Sequence, residues 1–219
     1  MTDEGVLRDS LVDVMRRAVA DGLSNGTSGN ASCHLDDDHV LITPSSIPPE
    51  DLTPGCMVIV DRNGSVVQGN GYSPSTEVAM HLAVYSVAPK ARAVMHTHSP
   101  YATAVGVVGD VLPAVHYDIV ALGGPVRVAP YVVFGSPELA SACSAALDGR
   151  TAALLGNHGA LAHGRHAREA YDRAAKLEWL SELYWNARQL GEPRVLSDAQ
   201  LDEVRDQMNR YRYGSVKPA

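Results

Sequence analysis

His96-Thr97-His98 closes a short apolar run, Ala93-Val94-Met95, that reads as a β-strand. Side chains alternate along a strand, so the two imidazoles share a face about 6.6 Å apart along the chain and can converge on one ion at roughly 2.1 Å per bond. His158 stands in Gly156-Asn157-His158-Gly159, between two more apolar runs. The glycines there permit a tight turn and leave room beside the ring. An isolated His-x-His is as readily two polar residues at a strand end, and a lone turn histidine a surface residue. Together the three histidines make the ligand set of a catalytic zinc, which keeps a position open for substrate or a carboxylate. Glu77, in Pro74-Ser75-Thr76-Glu77 ahead of an apolar helix, supplies the fourth group. His81 follows it at i+4, and we assign it a packing or supporting role beside the site.

Three stretches carry chemistry for an anion. Ser75 and Thr76 bring hydroxyls and amide N–H groups to a helix start, which suits a phosphate. Gly26-Thr27-Ser28-Gly29-Asn30 offers two hydroxyls and an amide, and Thr43-Pro44-Ser45-Ser46-Ile47 offers three hydroxyls around a proline. Either loop alone is most simply a turn. Neither a Gly-x-x-x-x-Gly-Lys-Ser/Thr stretch nor a Gly-x-Gly-x-x-Gly fingerprint occurs, so nucleotide binding has no support.

These residues need a scaffold, and the periodicity supplies one. Val6, Leu7, Leu11, Val14, Met15 and Ala18 form a helical stripe over 5–22. Ala31–His34 and His39–Thr43 flank an Asp36-Asp37-Asp38 turn as a hairpin. Met57–Asp61 and Val66–Gln68 flank Asn63-Gly64 as a second one. Helices are expected over 74–88, 99–108 and 136–147, each opened by Ser-Pro, and over 166–190. Ser197-Asp198-Ala199-Gln200 is a capping box opening the last helix. Thr151–Gly156 and Ala160–His163 read as strands joined through the His158 turn, and Pro113–Pro130 as irregular. Hairpins dominate the connections, so the expected fold is a single α/β domain over 1–219, three-layer α-β-α, with a central mixed, mainly antiparallel sheet flanked by helices.

Composition narrows the partners. With 219 residues, 45% hydrophobic and 20% charged, the chain can bury a sizeable core. A formal charge of −7 and the lack of a Lys/Arg cluster argue against nucleic acid. No apolar run approaches a membrane span. The three cysteines form no Cys-x-x-Cys pair, and MTDEGVLRDS lacks a signal-peptide pattern, so a cytoplasmic chain with reduced thiols is expected.

Gly-Thr-x-Gly-Asn, Thr-Pro-Ser-x-Ile-Pro, Pro-Ser-Thr-Glu, His-Thr-His, His116-Tyr117, Phe134-Gly135 and Asn-His-Gly occur here in one order. In that order they resemble the class II aldolase/adducin family, from about Thr27 to Gly164. The resemblance implies one Zn2+ per subunit, with Mn2+ or Co2+ as substitutes, on His96, His98 and His158, and Glu77 as a ligand that becomes the catalytic base. It places Thr27, Asn30, Ser45, Ser46, Ser75 and Thr76 at the phosphate of a sugar phosphate, and Phe134 and Tyr213 around the substrate. Tyr117 is implied to reach a neighbouring subunit's site in a homotetramer and handle the second proton. The implied reaction is cleavage of a ketose 1-phosphate of the L-fuculose type to dihydroxyacetone phosphate and a short aldehyde such as lactaldehyde. Related epimerases, dehydratases and decarboxylases share the three-histidine core, and an adducin-like interaction module is the non-enzymatic alternative. Ser46 stands where the family usually has glycine, and Thr76 where it has serine.

Overall fold

The computed structural model describes residues 3–211. Helix α1 (Glu4–Ala20) starts at Asp3, whose carboxylate accepts from the Gly5 amide, and turns Leu11, Val14, Met15 and Ala18 inward. The two hairpins follow as expected: β1 (Asn30–His34) with β2 (His39–Ile42), then β3 (Val58–Asp61) with β4 (Val66–Gln68). Helix α2 covers Val78–Val87, starting four residues later than the Ser-Pro signal suggests. Pro74–Glu77 is a turn instead, because Ser45 N–H bonds Ser73 O and Ser75 N–H bonds Thr43 O, strapping it to the end of β2.

Next come β5 (Ala93–Thr97), α3 (Pro100–Val108) and β6 (Val111–Leu112). The expectation of an irregular Pro113–Pro130 needs correction. Tyr117–Leu122 is a 3-10 helix closed by Gly123 at φ 93°, and Val126–Ala129 forms β7, hydrogen-bonded in parallel to β8 (Ala152–Leu155). Helix α4 (Pro137–Leu147) opens on Ser136, whose hydroxyl accepts from Leu139 N–H. Strand β9 (Gly159–Gly164) and α5 (Ala167–Leu190) follow. Helix α6 (Asp198–Arg210) begins with both halves of the Ser197–Gln200 capping box in place.

The strands form one sheet in the order β4-β3-β2-β1-β5-β9-β8-β7-β6. Among the described residues only β7 and β8 pair in parallel. Alternation sorts the core into two layers. Ala93 and Met95 of β5 point to the cluster shared with α1, α3 and α5, whereas Val94 points to α2 and α4. The fold is therefore the expected helix–sheet–helix sandwich. Its centre is β1-β5-β9, where Asn30 pairs with His96, and His96 with Leu161. Glu178 of α5 accepts the Tyr101 and Ala102 amides at 2.9 and 2.7 Å, fixing the start of α3 directly after His98. No helix among the described residues is long and apolar enough to cross a membrane.

Candidate metal centre and active site

His96 is carried by β5, His98 lies just past its end, His158 sits in the β8–β9 turn, and Glu77 precedes α2. Their ligand atoms lie within 4.8 Å of one another. The Nε2 atoms of His96 and His98 are 2.9 Å apart, and the three imidazole rings meet edge to face at 4.8 to 5.1 Å between centroids. Ala160 O accepts from His96 Nδ1 at 2.9 Å, which fixes the tautomer and aims the Nε2 lone pair into the cluster.

Glu77 completes the set. Its Oε2 is 3.2 Å from His96 Nε2, and its Oε1 is 3.2 Å from His158 Nε2. That Oε1 is buried without a hydrogen-bond partner. Buried lone pairs facing one another at such distances require a proton or a cation between them, so the four side chains fit a divalent metal of the zinc type. Burial alone would raise the Glu77 pKa. The opposing pull of His96, the close approach of the His158 and His96 rings and the hydrogen bond from Asn30 win, and hold the carboxyl well below the usual carboxylate range. His98 is pushed down to about 4, by burial first and then by the charges of His96 and His158. Its lone pair is thus free at neutral pH.

Gly159 makes this packing possible. A Cβ on it would lie 2.3 Å from Thr97 O and 3.3 Å from the rings of both His96 and His98. Gly159→Ala is expected to destabilise the protein by about 3 kcal/mol and to lower its metal content. Thermal melting with elemental analysis checks this, and an alanine variant matching the parent in both would refute the close fit.

Above the cluster opens a cleft of about 490 Å³. Thr27, Ser45, Ser46, Ser75 and Thr76 line it from three loops, with Glu77, His98 and His158 also in its lining. His96 is fully buried. The Ser75 amide is spent on Thr43 O, and its Oγ accepts from the Glu77 amide, so Ser75 has its hydroxyl proton left to offer a ligand. Ser46 adopts φ 62°, the left-handed region that glycine enters freely. Its hydroxyl sits 3.2 Å from Ser45 Oγ. Asn30 lines the cleft too, but its side chain is engaged: Nδ2 donates to Glu77 Oε2 at 2.8 Å and Oδ1 meets His81 Nε2 at 2.5 Å.

Phe134 lines the cleft with Tyr131, Val132 and Asn157, three residues not singled out from the sequence. Asn157 has φ 54°, and an Asn in a glycine-flanked turn was the signal available. Tyr117 is about half exposed, stacks on His116 at 4.5 Å, and is not among the residues lining its own chain's cleft. Tyr213 lies outside the described residues.

Residues 9–185 match the family described as Class II Aldolase and Adducin N-terminal domain. The chain is 36% identical to a 5-methylthioribulose-1-phosphate/5-deoxyribulose-1-phosphate aldolase of Rhodospirillum rubrum, over 94% of this chain and 92% of that one. It is 37% identical to the L-fuculose phosphate aldolase of Escherichia coli K12, over 94% and 95% respectively. A solved L-fuculose 1-phosphate aldolase superimposes with a TM-score of 0.88 at 34% identity, covering 93% of this chain and 96% of its own.

Proposed function

Because the chain belongs to the class II aldolase and adducin family, we propose that it is a zinc-dependent aldolase that reversibly cleaves a ketose 1-phosphate. The products are dihydroxyacetone phosphate and a short aldehyde, and the chain works as one catalytic domain. The observation that carries the reading is the orphaned Glu77 Oε1 among three convergent imidazoles, beneath a cleft lined with hydroxyls.

His96, His98 and His158 would hold a divalent cation, zinc with Mn2+ or Co2+ as substitutes, which when bound would neutralise the negative charge that develops on the ketone-derived fragment. Thr27, Ser45, Ser46, Ser75 and Thr76 bind the phosphate, a group that does not react and so anchors the substrate. Glu77 takes the proton from the hydroxyl on the carbon that becomes the aldehyde. The bond between that carbon and its ketone-side neighbour breaks, and its electron pair stays with the neighbour. Tyr117 of an adjacent subunit then gives a proton to that neighbour, the carbon that kept the electron pair. The apolar lining of Val132, Phe134 and the Tyr131 ring suits a substrate tail ending in methyl, as in L-fuculose 1-phosphate with lactaldehyde as product. The Rhodospirillum relative favours a second substrate, 5-deoxyribulose 1-phosphate, whose aldehyde product is acetaldehyde. A screen of ketose 1-phosphates read by dihydroxyacetone phosphate release tests both. Thr27→Ala and Ser75→Ala should raise KM more than they lower kcat. Absence of cleavage of every ketose 1-phosphate by metal-loaded protein would defeat the reading.

Sharing of sites in a homotetramer is supported by the exposure of Tyr117 away from its own chain's cleft. His116, stacked on it, meets the ring of the half-exposed Trp179 edge-on at 4.9 Å, so an aromatic patch surrounds the tyrosine. Tyr117→Phe and Glu77→Gln proteins, each nearly inactive, are unfolded together and reassembled in equal amounts. About a quarter of the sites should regain both residues, raising activity well above either parent. Mixed assemblies, verified by mass spectrometry, that stay inactive would remove Tyr117 from the neighbour's site.

A further inference from the structure

Behind the metal cluster, α2 and β1 face each other with matching polar repeats. Glu77, His81 and Tyr85 recur every fourth residue, about 6 Å along a helix. Asn30, Ser32 and His34 recur every second residue, about 6.6 Å along a strand. The two ladders therefore stay in step. His81 Nε2 meets Asn30 Oδ1 at 2.5 Å and His81 Nδ1 meets Ser32 Oγ at 2.7 Å. Ser32 Oγ in turn meets Tyr85 Oη at 2.7 Å, and the Tyr85 ring lies 4.2 Å from that of His34. His81 and Ser32 are completely buried.

The direction of every proton in this chain follows from its end. Glu77 is an ionised carboxylate and can only accept, so Asn30 must present its NH2 to Oε2 and its carbonyl to His81. His81 then donates from Nε2, which leaves Nδ1 as a lone pair. Ser32 O–H must fill that lone pair, and Tyr85 O–H must donate to Ser32. Reversing Asn30 would set a carbonyl against the carboxylate and break the series at once. The two oxygens of Glu77 are thereby made unequal: Oε2 is tethered, and Oε1 has no hydrogen-bond partner.

We infer that His81 and Asn30 are positioning residues for Glu77, held in one sense by Ser32 and Tyr85, so that Oε1 is the oxygen presented for ligation and proton transfer. This rests on the proposed aldolase reading for its kinetic arm only. A donor at 81 is the critical element, since it holds the Asn30 carbonyl from the side away from Glu77 and so keeps the amide aimed at Oε2.

The test compares His81→Leu, which has no donor, with His81→Gln, which restores one. Zn2+ is titrated into stripped protein of each, and cleavage kinetics are measured on reloaded protein. His81→Leu should weaken Zn2+ binding about tenfold and lower kcat 10- to 100-fold, with KM within about threefold of the parent. His81→Gln should recover a large part of both losses even if it melts no higher than His81→Leu. A merely structural role would instead make both losses follow the melting temperature. Equal impairment of Leu and Gln variants overturns the inference, as does a rise in KM at unchanged kcat. Should His81→Leu fail to fold, Ser32→Ala, a small deletion that leaves His81 Nδ1 without its donor and loosens the ring, must lower kcat about tenfold at constant KM, and an unchanged kcat overturns the chain. If the parent cleaves no ketose 1-phosphate, the aldolase reading fails while the Zn2+ titrations still decide this one.

Discussion

Glu77→Gln is expected to lower kcat by two to four orders of magnitude while the protein keeps its metal. The substitution preserves size and leaves an oxygen for ligation, but the neutral amide cannot accept a proton at neutral pH. His96, His98 and His158 remain to hold the cation, so elemental analysis should still find about one divalent ion per chain. KM should change little, because the loop hydroxyls that line the cleft, proposed to anchor the non-reacting phosphate, are untouched. The partition between kcat and KM is what identifies a base. A variant with parental turnover would take Glu77 out of that role, and one that had lost its metal would make it chiefly a ligand.

Stripping the metal should have an effect as large. A chelator is expected to reduce cleavage at least a hundredfold, and Zn2+ to restore it, with Mn2+ and Co2+ restoring it to different extents. His158→Ala should imitate the chelator, because its ring lies against both other histidines and its Nε2 faces Glu77 Oε1. Metal should also leave on the acid side, where protons compete for the lone pairs of the imidazoles and the carboxylate. The sign is fixed: bound metal falls as pH falls. Full activity in chelated, metal-free protein would rule out the chemistry proposed for the cluster.

Local signals carried most of the fold. Asn63-Gly64, Ser136-Pro137 and Ser197 with Gln200 mark their turns and caps by side chains acting within a few residues, and each element begins near where those residues say. Strand β7 escaped because it is four residues long, carries Arg127, and owes its existence to pairing with β8, more than twenty residues away. The metal cluster was legible for a related reason. His96 and His98 share a strand-end spacing, and glycines flag the turn of His158. The hydrogen bonds of Asn30 were not legible. Its place in a hydroxyl-rich loop suggests a ligand contact, whereas its engagement by Glu77 and His81 depends on the register of α2 over β1, which neither segment encodes alone.

The order of strands at the middle of the sheet has a consequence for how the protein comes into being. Asn30 pairs with His96, and His96 in turn neighbours Leu161, so the β1-β5-β9 core closes two long loops before the four candidate ligands can meet. Such non-local pairing is slow and is a late event in folding. Synthesised from the N-terminus, the chain exposes Glu77, His96 and His98 well before His158 and β9 emerge. A cation therefore has no complete binding site on the nascent chain, and finds one only in a molecule whose sheet has already closed. Whatever stability it confers belongs to the finished fold as a whole.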